Sequence, residues 1–204
     1  MSRSFAHITP RYIYDRLNVI LDERINPLNP WLTSKSISLL EQLLKPSDIG
    51  VEFGSGRSTI WFASRLKHVT SVEDSSTWFV KVETLLASSG IREKVDYRLC
   101  EVETTYLDQT KTFQSDSVDF CLVDGKARDK CAVGMLSKLK PGGILVIDNV
   151  NWFLPNDWSK SPNTRRNKDG AATESWRNFL ELTQSYRRIW TSNGVTDTCI
   201  FFKP

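Results

Sequence analysis

The sequence predicts an α/β fold, a doubly wound, mostly parallel seven-stranded sheet with an antiparallel C-terminal hairpin strand and helices on both faces. Three observations carry this. From residue 49 onward, apolar runs alternate with amphipathic segments, the pattern of a sheet covered on both sides. The strand candidates are near-continuous apolar runs, as parallel strands buried on both faces require. The tail offers two strand-like runs joined through Asn193-Gly194, a hairpin signal. The chain of 204 residues suffices for one domain, 1–204, with an N-terminal helical cap over 1–45.

Tyr12, Ile13, Leu17, Ile20 and Leu21 recur at helical spacing and predict a helix over 10–24, broken by Asn26-Pro27. Ile37, Leu40 and Leu44 predict a second over 34–44. A strand at 49–53 leads into a helix at 57–66, and a strand at 69–73 into a helix at 76–88. Strands follow at 95–100 and 118–123, then a helix over 127–139. Pro141-Gly142-Gly143 reads as a turn into a strand at 144–147. A helix at 173–184 precedes the hairpin strands 187–191 and 198–202. The polar stretch 151–175 is long for a connection, which marks it as a substrate loop or lid.

Composition narrows the class. Apolar residues make up 40% and charged residues 25%, ordinary for a globular protein. Lys and Arg (27) nearly balance Asp and Glu (24), so the net charge of +3 does not point to nucleic acid. No apolar run approaches the roughly 18 residues of a membrane helix. The four cysteines are widely spaced, without a C-x-x-C pair, and read as buried reduced thiols. A cytoplasmic protein with no nucleic-acid or membrane partner is expected, with a homodimer as its assembly. Neither histidine, His7 nor His68, is a good base candidate.

Ligands on such sheets bind beyond the carboxyl ends of the strands. The first strand end reads Glu52-Phe53-Gly54-Ser55-Gly56-Arg57-Ser58-Thr59. Two glycines one residue apart suit a tight turn against a nucleotide-like group, but Thr59 breaks the third glycine of a dinucleotide fingerprint. Glu73 ends the second strand 19 residues after Gly54, about the interval at which an acid meets ribose hydroxyls. Asp124 ends the fourth strand, and Asp148-Asn149 the fifth. Acids at central strand ends are costly to desolvate without a partner. Three oxygen donors there suit a hard cation such as Mg²⁺, or else a cofactor amino group and loop caps.

These residues resemble class I S-adenosylmethionine-dependent methyltransferases, over about residues 30–204. The carriers are Glu52-Phe53-Gly54-Ser55-Gly56, Glu73, Val123-Asp124-Gly125 and Leu139-Lys140-Pro141-Gly142-Gly143. The resemblance implies S-adenosylmethionine as cofactor. Glu52, Gly54, Ser55 and Gly56 would shape its turn, with the two glycines facing its methionine part and ribose. Ser58 would meet its carboxylate, Glu73 its ribose and Asp124 its amino group, and Cys100 and Glu101 would lie near its adenine. Asp124, Asp148 and Asn149 resemble the metal triad of the catechol-type O-methyltransferases. That subgroup has a lysine three residues after the first Asp; here the position is Ala127, flanked by Lys126 and Arg128. Asp124, Lys126 and Asp148 are the catalytic candidates.

The implied reaction is methyl transfer to a small molecule, with oxygen the expected acceptor and nitrogen or a carboxyl group the alternatives. A nicotinamide-dependent reductase or a non-catalytic cofactor-binding protein are the readings from other classes. Trp31, Asn149, Trp152 and Phe153 are the candidate acceptor wall. Arg165, Arg166 and Lys168 offer an anion site, or else the solvated tip of the loop.

Overall fold

The computed structural model describes residues 8–204; His7 and the start of the 1–45 cap lie outside the described residues. Seven strands form one sheet: β1 (Ile49–Phe53), β2 (His68–Glu73), β3 (Val95–Leu99), β4 (Val118–Val123), β5 (Leu139–Asp148), β6 (Arg187–Ser192) and β7 (Asp197–Phe202). Their order is β3-β2-β1-β4-β5-β7-β6. β1 pairs in parallel with β2 on one side and β4 on the other, so the strand order reverses there and opens a crevice at the carboxyl ends. β7 runs antiparallel between β5 and β6.

Side-chain alternation along the strands sorts the core into two layers. Val51, Phe53, Val123 and Ile147 face α6 (Arg128–Leu136) and α7 (Glu174–Leu182), where Met135, Trp176 and Phe179 are buried. Leu122, Phe120 and Val146 face the other way. There they meet α2 (Ser34–Leu43), α3 (Arg57–Ala63) and α4 (Ser76–Ser88) through Leu40, Phe62 and Leu86. All four cysteines are buried and free. Among the described residues no helix is long and apolar enough to cross a membrane.

Several elements differ from expectation. α3 stops at Ala63 rather than 66. β5 starts at Leu139 rather than 144, because Pro141-Gly142 is a bulge and not a turn. The β4 register shifts there, Gly142 takes a φ of +78°, and Gly142 N–H and Gly143 O still bond Lys203 at 2.9 Å each. A short helix, α5 (Glu103–Asp108), fills a segment without apolar period. The hairpin turn is a four-residue loop, in which Asn193 Oδ1 accepts from the N–H groups of Val195 (3.0 Å) and Thr196 (2.9 Å).

The first helix, α1 (Pro10–Ile25), buries only Asp15, which lies against the hairpin loop. A Cβ on Gly194 would come within 2.2 Å of the Asp15 carboxylate, so glycine lets the loop and helix meet. The opposite row, including Ile13, Leu17, Leu21 and Ile25, is exposed. α1 thereby spans the mouth of the crevice.

Candidate functional site

The two glycines of the first turn do different work. Gly54 sits at φ +93°, and a Cβ there would fall 2.6 Å from the Gly125 nitrogen. The ends of β1 and β4 thus touch backbone to backbone. Gly56 is extended, and a Cβ there would meet only ordinary contacts, at 3.8 Å or more. Nothing in the protein requires glycine at 56.

Thr59, in place of a third glycine, is part of the turn. Its hydroxyl accepts from Gly56 N–H (3.0 Å) and donates to Glu52 Oε2 (2.6 Å), which also takes Ser71 Oγ (2.7 Å). Glu52 is fully buried, and desolvation raises its pKa to about 7 against the pull of the hydroxyls of Ser58, Thr59 and Ser71. This corrects two expectations. Glu52 holds the turn from beneath and does not line the cavity, and Ser58 is buried beside Glu52.

Glu73 closes β2 at the same crevice. One carboxylate oxygen accepts from the N–H (3.0 Å) and hydroxyl (2.5 Å) of Ser55, the other from the N–H groups of Asp74 (3.0 Å) and Ser75 (2.9 Å). The Ser55 hydroxyl also lies 2.7 Å from Tyr97 OH. Trp78, which the sequence reading missed, donates its indole N–H to Ser55 O (2.7 Å) and packs 6.2 Å from Trp31. Its signal was weak: one tryptophan in the first turn of a helix. Cys100 lies in the core and Glu101 is exposed; neither lines the cavity.

A cavity of about 680 Å³ lies over these strand ends. Gly54, Ser55, Glu73, Trp78 and Trp31 line it together with Asp148, Asn149 and Trp152, and α1 contributes Tyr12, Arg16 and Glu23. Phe153, expected in this wall, instead stacks on Trp176 at 5.3 Å and anchors the loop base. Lys126 is exposed and ion-paired with Asp74, whose hydrogen bond and charge raise its pKa. A lysine held charged in this way is no proton acceptor, which removes the base role expected of it.

The expected metal triad meets a different partner. Arg128 opens α6 and turns back over the ends of β4 and β5. Its Nε donates to Gly125 O (3.0 Å), Nη1 to Asp148 O (2.6 Å) and Asn149 Oδ1 (3.2 Å), and Nη2 to Asp124 O (2.6 Å) and Asp124 Oδ1 (2.8 Å). Asp148 Oδ1 takes Thr198 Oγ1 at 2.7 Å. The donor set fits a divalent ion poorly, because the guanidinium already engages the side-chain oxygens of Asp124 and Asn149, and Asp148 Oδ1 is taken by Thr198. Among the described residues no group of three His, Cys, Asp or Glu is placed to hold a metal.

Asp148 is 2% exposed yet borders the cavity. Desolvation first, then the charge of Asp124, raise its pKa to about 8, against Thr198 and Arg128. Asp124 is raised as well by desolvation, with Arg128 opposing. A buried carboxyl with a raised pKa at a cavity wall has the profile of a proton acceptor.

The 151–175 loop is tied down, with Asp197 as its hub. This buried carboxylate accepts from Ser159 (2.5 Å), Ser161 (2.5 Å), Thr164 (3.3 Å) and Trp190 Nε1 (2.8 Å). Arg165 and Arg166 spend donors on carbonyls of the loop itself, those of Gly170, Asp169, Asn156 and Ser159. Neither they nor Lys168 line the cavity, so the basic trio forms no anion site there.

The parallel sheet with a reversed last strand, the paired glycine ends and the acidic β2 terminus define the Rossmann-like fold of class I methyltransferases. Residues 51–150 match the family model described as a methyltransferase domain. No curated protein matches the chain. Solved structures with the same fold include an O-methyltransferase from Bacillus cereus in complex with S-adenosylhomocysteine (17% identity, TM-score 0.61, covering 94% of this chain and 91% of that one). The O-methyltransferase TomG from Streptomyces achromogenes, in complex with S-adenosylmethionine, is another (16%, 0.60, 97% and 91%). A methyltransferase from Geobacter sulfurreducens is a third (14%, 0.59, 96% and 89%). At these identities the likeness speaks for the fold. The reductase reading falls away with the family match and with Thr59 built into the turn.

Proposed function

We propose that the chain transfers the methyl group of S-adenosylmethionine to a hydroxyl of a small, planar molecule. The observation that carries this is one cavity lined both by the glycine turn with Glu73 and by Asp148 with the aromatic rings of Trp31 and Trp152. The residues fit the cofactor: Gly54 and Ser55 line the cavity at the turn, and Glu73 is a two-oxygen acceptor for vicinal hydroxyls. When bound, the cofactor supplies an already activated methyl group.

What remains for the protein is placement and a proton. Gly54, Ser55 and Glu73 would hold the cofactor, which would supply the methyl group to the acceptor oxygen, and the Asp148 carboxylate would take the hydroxyl proton. A base with a pKa of about 8 suits a phenol-like hydroxyl better than an aliphatic one. The cavity size, within the roughly 300–1,000 Å³ usual for small ligands, favours a small acceptor over nucleic acid. The exposed apolar row of α1 suits the expected homodimer.

The test is transfer of radiolabelled methyl to a panel of catechols, simple phenols, aromatic amines and aromatic acids, with products identified by mass spectrometry. An O-methyl ether on a phenolic hydroxyl is expected. Transfer only to amines or carboxylates would overturn the oxygen assignment.

A further inference from the structure

Arg128 is a cation built into the chain at the point where the side-chain oxygens of Asp124 and Asn149 and the backbone carbonyl of Asp148 converge. A guanidinium has five N–H bonds, and here each one has a partner: three backbone carbonyls, one carboxylate oxygen and one amide oxygen. These partners come from the ends of two neighbouring strands, and the planar fork of arginine is the side chain that reaches them together. The guanidinium lies 5.8 Å from the Phe153 ring centroid, which backs it from the loop.

The backbone is shaped to put it there. Ala127, immediately before Arg128, takes a left-handed φ of 45°, costly for a residue with a Cβ and no polar side chain to compensate. Asn149, on the other strand end, is also left-handed, at φ 49°, and its amide bridges Arg128 (3.2 Å) to Thr196 Oγ1 (2.7 Å). The strain at Ala127 thus accompanies an arginine whose every donor is used.

We propose that Arg128 is a positioning residue that occupies, with its own fixed charge, the place the Asp124–Asp148–Asn149 oxygens would otherwise offer a divalent cation, so that this site works without a metal. The inference rests on the donor set alone and holds whichever acceptor atom is methylated. It makes Arg128 the clasp between the cofactor-side turn at Gly125 and the acceptor-side strand end at Asp148.

Mn²⁺ binding to the full chain, read by electron paramagnetic resonance, tests this without any substrate. Wild-type protein is expected to bind no Mn²⁺ below millimolar concentration. Arg128→Ala is expected to gain one Mn²⁺ at least 100-fold tighter than wild type, and Asp124→Asn added to it is expected to remove the gain. Circular dichroism and thermal melting establish that each variant is folded. One tightly held Mn²⁺ in wild type that Asp124→Asn abolishes would overturn the proposal, as would a folded Arg128→Ala that gains no metal. Arg128→Lys keeps the test open if the alanine variant does not fold. A single ammonium cannot span the five partners, so weak Mn²⁺ binding is expected to emerge, and its absence in a folded lysine variant counts against the proposal.

Discussion

Asp148→Asn is expected to lower turnover by about 10²–10⁴-fold, the usual contribution of a general base, while S-adenosylhomocysteine affinity stays within about twofold. The amide keeps an oxygen for Thr198 Oγ1, so the local bond survives the change. Methyl-transfer rates across pH, together with calorimetric titration, check both halves. Wild-type turnover is expected to rise with pH and level off above about 8, where the carboxyl is ionised. Stability moves the opposite way. A carboxyl whose folded pKa is raised binds its proton more tightly in the folded state, so its contribution is full below about 4 and is lost as pH climbs through about 8. Glu52, raised to about 7, adds to the same decline. The asparagine variant is expected to lose less stability than wild type between pH 5 and 9. A variant with wild-type turnover would remove Asp148 from the chemistry.

The second large effect separates the two glycines. Gly54→Ala is expected to cost about 3 kcal/mol, from a positive φ and a Cβ pressed onto the Gly125 backbone. For a domain of this size that is a drop in Tm of roughly 6–12 °C. Gly56→Ala is expected to leave Tm within about 2 °C, since its backbone is extended and the added Cβ would meet Ser58 and Trp78 only at ordinary contact distance, 3.8 Å or more. It is nonetheless expected to weaken S-adenosylhomocysteine binding about 10- to 100-fold, the cost of overpacking by one methyl. Thermal melts and binding titrations on the two variants give the pattern directly. Equal loss of Tm in both would mean that the second glycine serves the fold and not the ligand.

The sheet was legible because buried parallel strands leave almost no choice of residue: Phe120–Val123 and Ile144–Ile147 are apolar throughout. The start of β5 was not, because Pro141 and Gly142 are turn residues everywhere except at a bulge with an outer edge in solvent. At the site, Gly54, Glu73 and Asp148 were visible by type and spacing. Their division of labour was not. Whether Glu52 touches a ligand or holds Thr59 depends on which face of β1 it takes, and Phe153 and Trp152 differ in the same way. The metal reading failed for a specific reason. A carboxylate–carboxylate–amide set looks the same in sequence whether it holds an ion or an arginine, and Arg128 reaches it only because Ala127 turns left-handed. Asp197 opens a strand that reads as apolar, and its four donors come from segments up to 38 residues away.

The central claim is that S-adenosylmethionine binds on the Gly54–Ser55–Glu73 side of the cavity. Tryptophan fluorescence titration with S-adenosylhomocysteine tests it most directly, because Trp78 and Trp31 border the site. The expected result is a saturable response in wild type and one at least about 100-fold weaker in Glu73→Ala, which loses charge-assisted bonds of about 1.5–3 kcal/mol each. No response in wild type, or the same affinity in the folded variant, would contradict it.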